Sequence, residues 1–163
     1  MSVFKSQFSR ALSVIPSDNC DVPYPAPVSS GTNTSAVTNQ LVDSAGNFVN
    51  LNVRVGDIVY NTTDGTAATV VSVTSATVIV LNADIFAATA KAYIIYQAGG
   101  PTTLGNYGCN LYIGGAGNVK VTTIGQDIIT FSAIPAGTVL PVQVIKVHAA
   151  ASGTTATLIN ALW

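Results

Sequence analysis

Apolar and polar positions alternate with a period of two along the last third of the chain, from Leu111 to Trp163. Val119, Val121 and Thr123 fall on one side of an extended segment, and Lys120 and Thr122 on the other. Ile129, Phe131 and Ala133 are opposed in the same way by Ile128, Thr130 and Ser132. Turn signals break the alternation at 114–118, Gly125-Gln126-Asp127, Pro135-Ala136-Gly137 and Ser152-Gly153. Such alternation, with a turn about every eight to twelve residues, predicts a small antiparallel β-domain.

A second β-rich region is expected between residues 36 and 98. Leu51, Val53 and Val55 alternate with Asn52 and Arg54, and the strand signal continues through Ile58-Val59-Tyr60 to a turn at Thr63-Asp64-Gly65. Strands are predicted around Ala68–Val73, Thr77–Leu81 and Ala92–Tyr96, with one short helical turn at Ala83–Ala90. Roughly five strands in about sixty residues suggest a small barrel or compact sandwich. Phe4, Phe8, Leu12 and Ile15 stand at helical spacing, which predicts a short helix ended by Pro16, covering its own core or docking on a neighbour. Pro23, Pro25 and Pro27 stiffen the connector that follows.

The segments LYIGGAGNVKVTTIGQD, PAGTVLPVQVIKV and SGTTATLINALW resemble the C-terminal half of small tailed-phage virion proteins. That group comprises spike-base or head-decoration proteins and extends to gene-transfer-agent particles. The lead-in Ala11–Asp18 resembles the start of the same proteins, where it runs almost directly into the LYIGG-like strand. The stretch LVDSAGNFVNLNVRVGDIVYNTTDGTAATVVSV is similar to a segment of marine phage structural proteins. Together these imply an all-β fold: an antiparallel β-sandwich or barrel framework built from both chain ends, residues 1–27 and 108–163, with a small β-barrel module inserted at 28–107. Such an insertion leaves and re-enters at neighbouring points, so Cys20 and Cys109 are expected close together at the junction. Either a disulfide staple or two buried thiols would suit that position.

Composition sharpens the picture. Only 8% of the 163 residues are charged and net charge is −1, while mean hydropathy is +0.48; ordinary soluble domains carry about 25% charged residues. No basic face can neutralise a run of phosphates, so direct nucleic-acid binding is not expected. No apolar run reaches the length of about 18 residues that spans a bilayer, and charges interrupt the N-terminus where a signal peptide would be apolar. The expectation is a protein without membrane contact, made in a host cytoplasm. Few surface charges leave a lone subunit prone to association, which predicts an exterior covered by neighbours. With the resemblance, this implies a virion location and a homo-oligomer, a trimer or pentamer, packed on the major capsid protein or other virion proteins.

Candidate chemistry is sparse. His148 is the one histidine, and no strained nucleophile turn accompanies it, so a strand-end or subunit-contact role is expected ahead of a hydrolase. As a contact residue it would make assembly pH-sensitive. Metal-ligand spacing is absent, the aspartates sit in turn contexts, and the glycines at 114–117 lack the Lys and helix of a phosphate loop. No cofactor, metal or catalytic residue is therefore assigned, and the expectation is a protein that is not an enzyme. Interface candidates are Phe4, Phe8, Ile15, His148 and Trp163, with Trp163 also able to plug its own domain. Tyr24, Tyr107 and Tyr112 could form an aromatic seam at the junction. A second reading, an adhesin-type module of a tail or spike binding host glycans, would use exposed Tyr93 or Tyr96.

Overall fold

Alternating sequences bury one side of a strand only when a partner strand fixes the register, and pairing across the chain sets this fold. A computed structural model describes residues 8–98 and 108–163. Phe4 and Tyr107, singled out above, lie outside the described residues. The framework strands are β1 (Ala11–Ser13), β9 (Cys109–Gly115), β10 (Gly117–Thr123), β11 (Ile128–Ile134), β12 (Thr138–Val147) and β13 (Thr157–Leu162). They form a six-stranded antiparallel sheet in the order β1-β13-β9-β12-β10-β11. The intervening strands are β2 (Pro27–Thr32), β3 (Ser35–Val37), β4 (Gln40–Val42), β5 (Ile58–Asn61), β6 (Thr66–Val73), β7 (Val78–Leu81) and β8 (Ala92–Tyr96). These make a seven-stranded sheet, β2-β8-β5-β6-β7-β4-β3. Its end strands β2 and β3 do not pair, so the expected barrel is an open sheet.

Each sheet has its own apolar core. Leu111, Ile113, Val119, Val121, Val144, Val147 and Ile159 pack together beneath the six-stranded sheet. Phe48, Phe86, Tyr93, Val59, Ile79 and Ile95 fill the core of the seven-stranded sheet. A third cluster of Cys20, Ile58, Tyr60 and Ala67, joined by Leu12, Ile15 and Tyr96, lies where the N-terminal segment meets the second sheet. Residues 14–22 act as a strap bound on both sides. Ser17 N–H donates to Val147 O at 2.9 Å and Val22 N–H to Ile145 O at 2.7 Å. From the seven-stranded sheet's side, Thr69 Oγ1 and Asn82 Nδ2 both donate to Asn19 O, at 2.9 and 2.6 Å. Ser17 Oγ completes the tie by donating to Ala67 O at 3.0 Å.

Three local expectations give way to other structures. Residues 8–16 are extended, with Ala11–Ser13 paired to β13, so the helix over Phe8, Leu12 and Ile15 does not form. Cross-chain backbone pairing overrides a weak periodicity in a segment poor in strong helix formers. Leu51, Val53 and Val55 form no strand: Leu51 and Val55 lie in turns, Leu51 N–H bonds to Asn47 O and Val53 N–H to Phe48 O. Residues 83–90 contain no helical turn; side-chain amides capture their carbonyls instead, Asn61 Nδ2 donating to Ile85 O and Asn33 Nδ2 to Ala88 O.

Between β9 and β10 the chain turns tightly without making a hairpin, since β9 pairs with β12 and β13 and β10 with β11 and β12. Gly117 permits this crossing. Its φ is +154° and a Cβ there would lie 2.5 Å from Ala156 N, closer than a side chain tolerates.

Candidate functional site

The outer face of the six-stranded sheet is built by the residues that alternate away from its core. Val119 and Val121 are fully buried, which turns Lys120 and Thr122 outward. On β12, buried Val147 likewise turns Lys146 and His148 outward. Further along this face Tyr112 and Val139 are cross-strand partners, both exposed. Ile128, partnered with Thr122, is 64% exposed, and Leu158 on β13 is 73% exposed. Leu158 also holds φ at +53°, a left-handed conformation that costs a non-glycine residue about 1–2 kcal/mol. Strand β11 is a sheet edge without a charged residue or proline, and Ile128, Ile129 and Thr130 are all exposed. Such an edge offers unpaired backbone groups; the register shift opposite Gly117/Val119 interrupts it near its end, and no charge on the strand opposes strand addition.

Around His148 a polar cluster joins the strap to this face. His148 Nδ1 lies 2.9 Å from Asp18 Oδ1, and Nε2 lies 3.0 Å from Thr122 Oγ1. The other Asp18 oxygen accepts from Ser152 Oγ at 2.6 Å. Ala149 N–H adds a longer contact to Oδ1 at 3.4 Å. The Ser152 hydroxyl, followed by the His148 ring and the Ala149 amide, holds the Asp18 carboxyl below the usual aspartate value despite some desolvation. A carboxylate acceptor assigns the ring proton to Nδ1 when His148 is neutral and leaves the Nε2 lone pair facing the Thr122 hydroxyl. His148 thus sits at a strand end, as its position in the sequence suggests, with its contacts made to its own chain.

Trp163 packs partly buried against the framework core and meets Tyr24 edge-to-face, ring centroids 5.8 Å apart. Arg10 lies 5.2 Å above the Tyr24 ring, and its guanidinium donates to Pro25 O at 2.8 Å. Backbone bonds run both ways between Arg10 and Trp163, so Trp163 closes its own sheet. Tyr112 stands apart from this contact, on the outer face. Ile15 is half-buried in the junction cluster and Phe8 is exposed.

Cys20 and Cys109 are buried free thiols, Cys20 packed with Tyr60 in the junction cluster and Cys109 in the framework core. Burial pushes each thiol up to about 12. Tyr93 is buried at 2% exposure and bonded to Asp43, while Tyr96 packs edge-to-face on Tyr60 at 5.3 Å. Neither tyrosine is the exposed platform a glycan-binding reading requires. Among the described residues, no group of three or more His, Cys, Asp or Glu could hold a metal ion, and no helix is long and apolar enough to cross a membrane.

The polar cluster around His148 links residues up to 134 positions apart in sequence, and the histidine alone among them is a candidate from sequence. The outward face of β10 is legible from alternation; Asp18 and Ser152 carry no local signal beyond turn chemistry. No protein-family model, no curated protein and no solved structure matches the chain.

Proposed function

We propose that the chain is a structural subunit of a tailed-phage virion, a capsid decoration (cement) or spike-base protein that acts as a homo-oligomer through β-packing. The observation that carries this reading is the uncharged edge strand β11 together with the apolar part of the outer face of the six-stranded sheet: Ile128, Ile129, Val139 and Leu158 are solvent-exposed in one subunit. In a chain whose charged residues amount to 8%, little else opposes association through that surface. The resemblance of both chain ends to virion proteins supplies the class of partner, the capsid shell. Burial of this surface against neighbouring subunits and capsid protein would reinforce the particle by mass action.

Native mass spectrometry of the full chain at micromolar concentration tests the reading, together with co-sedimentation with capsids lacking the protein. A closed trimer or pentamer that saturates capsids supports it. A monomer with no capsid affinity overturns it.

A further inference from the structure

The scarce titratable groups are gathered rather than spread. Of six Lys or Arg and one His, Lys120, Lys146 and His148 share one patch of the outer face. Thr122 and Lys146 are direct cross-strand partners there, and a register shift follows at Thr122/Thr123. Such bulges re-aim side chains and recur beside reactive sites. Asp18 and Asp21 reach the same patch from the strap, with Lys146 Nζ 3.7 Å from Asp21 Oδ1 and 3.4 Å from Asp18 O. Both Lys146 contacts are long, so its ammonium is held only loosely between the Asp18 carbonyl and the Asp21 carboxylate.

We propose that Thr122, His148 and Asp18 form a nucleophile–base–orienter relay that accepts an acyl group from esters with an apolar acyl chain. The role extends beyond the assembly reading and does not depend on it. Thr122 Oγ1 and His148 Nε2 at 3.0 Å, and His148 Nδ1 and Asp18 Oδ1 at 2.9 Å, satisfy the two hydrogen bonds that such a relay needs. Ser152, bonded to the far Asp18 oxygen, fixes the carboxylate that fixes the ring. Asp18 and Ser152 are positioning residues. Lys146, across the strand from Thr122, supplies the positive charge for the oxyanion. Exposed Ile124, two residues along the chain from Thr122, provides apolar contact for the acyl chain.

In the first step Thr122 Oγ1 attacks the ester carbonyl carbon while its proton passes to His148 Nε2. The tetrahedral intermediate then expels the alcohol oxygen, which takes that proton from Nε2. The products are the Thr122 ester and a free alcohol. Water activated by the same nitrogen hydrolyses the Thr122 ester, releasing the carboxylic acid and restoring the hydroxyl.

Incubating the full-length protein with 4-nitrophenyl butyrate, and mapping the adduct by peptide mass spectrometry, tests this directly. The expected result is one butyryl group on Thr122, with nitrophenolate released faster from butyrate than from acetate ester. His148→Gln should slow release by about tenfold or more, Thr122→Ser should keep the label at position 122, and Asp18→Asn should lower kcat with little change in KM. The wild-type adduct position needs no variant to fold. Label confined to Lys120, Lys146 or the N-terminal amine, or neither label nor nitrophenolate release above buffer, overturns the proposal, as does an unchanged rate in folded His148→Gln.

Discussion

The Tyr93 hydroxyl donates to Asp43 Oδ2 at 2.7 Å inside the core of the seven-stranded sheet, with Gly31 packed against both. Asp43 is buried, and its other oxygen accepts the Ala45 amide at 2.9 Å. Desolvation, reinforced by the facing carboxylate, pushes the Tyr93 phenol well above its ordinary value. Tyr93→Phe strips one buried carboxylate oxygen of its donor and should cost about 1–3 kcal/mol in urea unfolding. Gly31→Ala should cost more, because its Cβ would stand 2.6 Å from Asp43 Oδ2 and 2.8 Å from the Tyr93 hydroxyl. Equal stability of Tyr93→Phe and wild type would show the bond to be dispensable.

Leu158 sets folding of one subunit against assembly of many. It is exposed on the outer face and held at φ +53°, where glycine is free of the Cβ penalty. Leu158→Gly should therefore leave the subunit as stable as wild type or more stable, by up to about 1 kcal/mol. The same change removes an apolar anchor, so oligomers should dissociate at lower dilution. Thermal melting and native mass spectrometry, run on the same sample, read the two effects separately.

Where the sequence was informative, one residue's environment depended on its immediate neighbours. Val119 and Val121 alternate with Lys120 and Thr122, and β10 buries the first pair and exposes the second. At Ile128 to Ala133 the expected strand forms, but only Phe131 packs against the core, half-buried, and Ile128, Ile129, Ser132 and Ala133 are exposed. At Leu51, Val53 and Val55 local turn bonds take the backbone, and only Val53 is buried. Pairing of β1 with β13 joins the two chain ends, a relation that no local window contains. The Asp18–His148 contact spans 130 positions and depends on the strap being anchored to β12. Alternation fixes which way a side chain faces; long-range register decides what it meets.

The two cysteines should behave as inert core residues in the native protein. Burial raises both thiols to about 12, so thiolate is scarce at neutral pH. Iodoacetamide at about pH 8 should leave Cys20 and Cys109 unmodified over a period that fully alkylates the urea-unfolded chain. Rapid labelling of either thiol in the native state would show that its cover opens readily.

Acid should weaken one tie between the strap and the framework. The Asp18 carboxyl is held below its ordinary value of 3.8, chiefly by Ser152 and then by His148, against the opposing effect of desolvation. A carboxyl depressed by folding stabilises fully above its unfolded value, and that contribution is lost as pH falls through the folded one. Asp18→Asn removes this proton linkage. Its melting temperature should therefore fall less than that of wild type between about pH 5 and pH 2.5. Parallel profiles for the two proteins would place the acid sensitivity elsewhere.

Asn61 is the pin of the loop that the sequence suggested as a helical turn. It is fully buried, and all of its amide capacity is used: Nδ2 donates to Ile85 O at 2.7 Å and Asp64 Oδ2 at 2.9 Å. Its Oδ1 accepts the Thr63 and Asp64 amides at 3.1 and 3.0 Å. Lys91 then closes the loop's far end on Asp64 at 2.8 Å, an exposed pair worth little alone. Asn61→Ala strands several buried or half-buried partners at once, which should cost about 2–4 kcal/mol by the desolvation of unpaired groups. Lys91→Ala should cost less than about 1 kcal/mol. Limited proteolysis should accordingly cut Asn61→Ala within residues 83–91 well before wild type, while Lys91→Ala is cut nearly as slowly as wild type. Equal protection of Asn61→Ala and wild type would mean that Ile85 and Phe86, both buried, hold the loop without the amide.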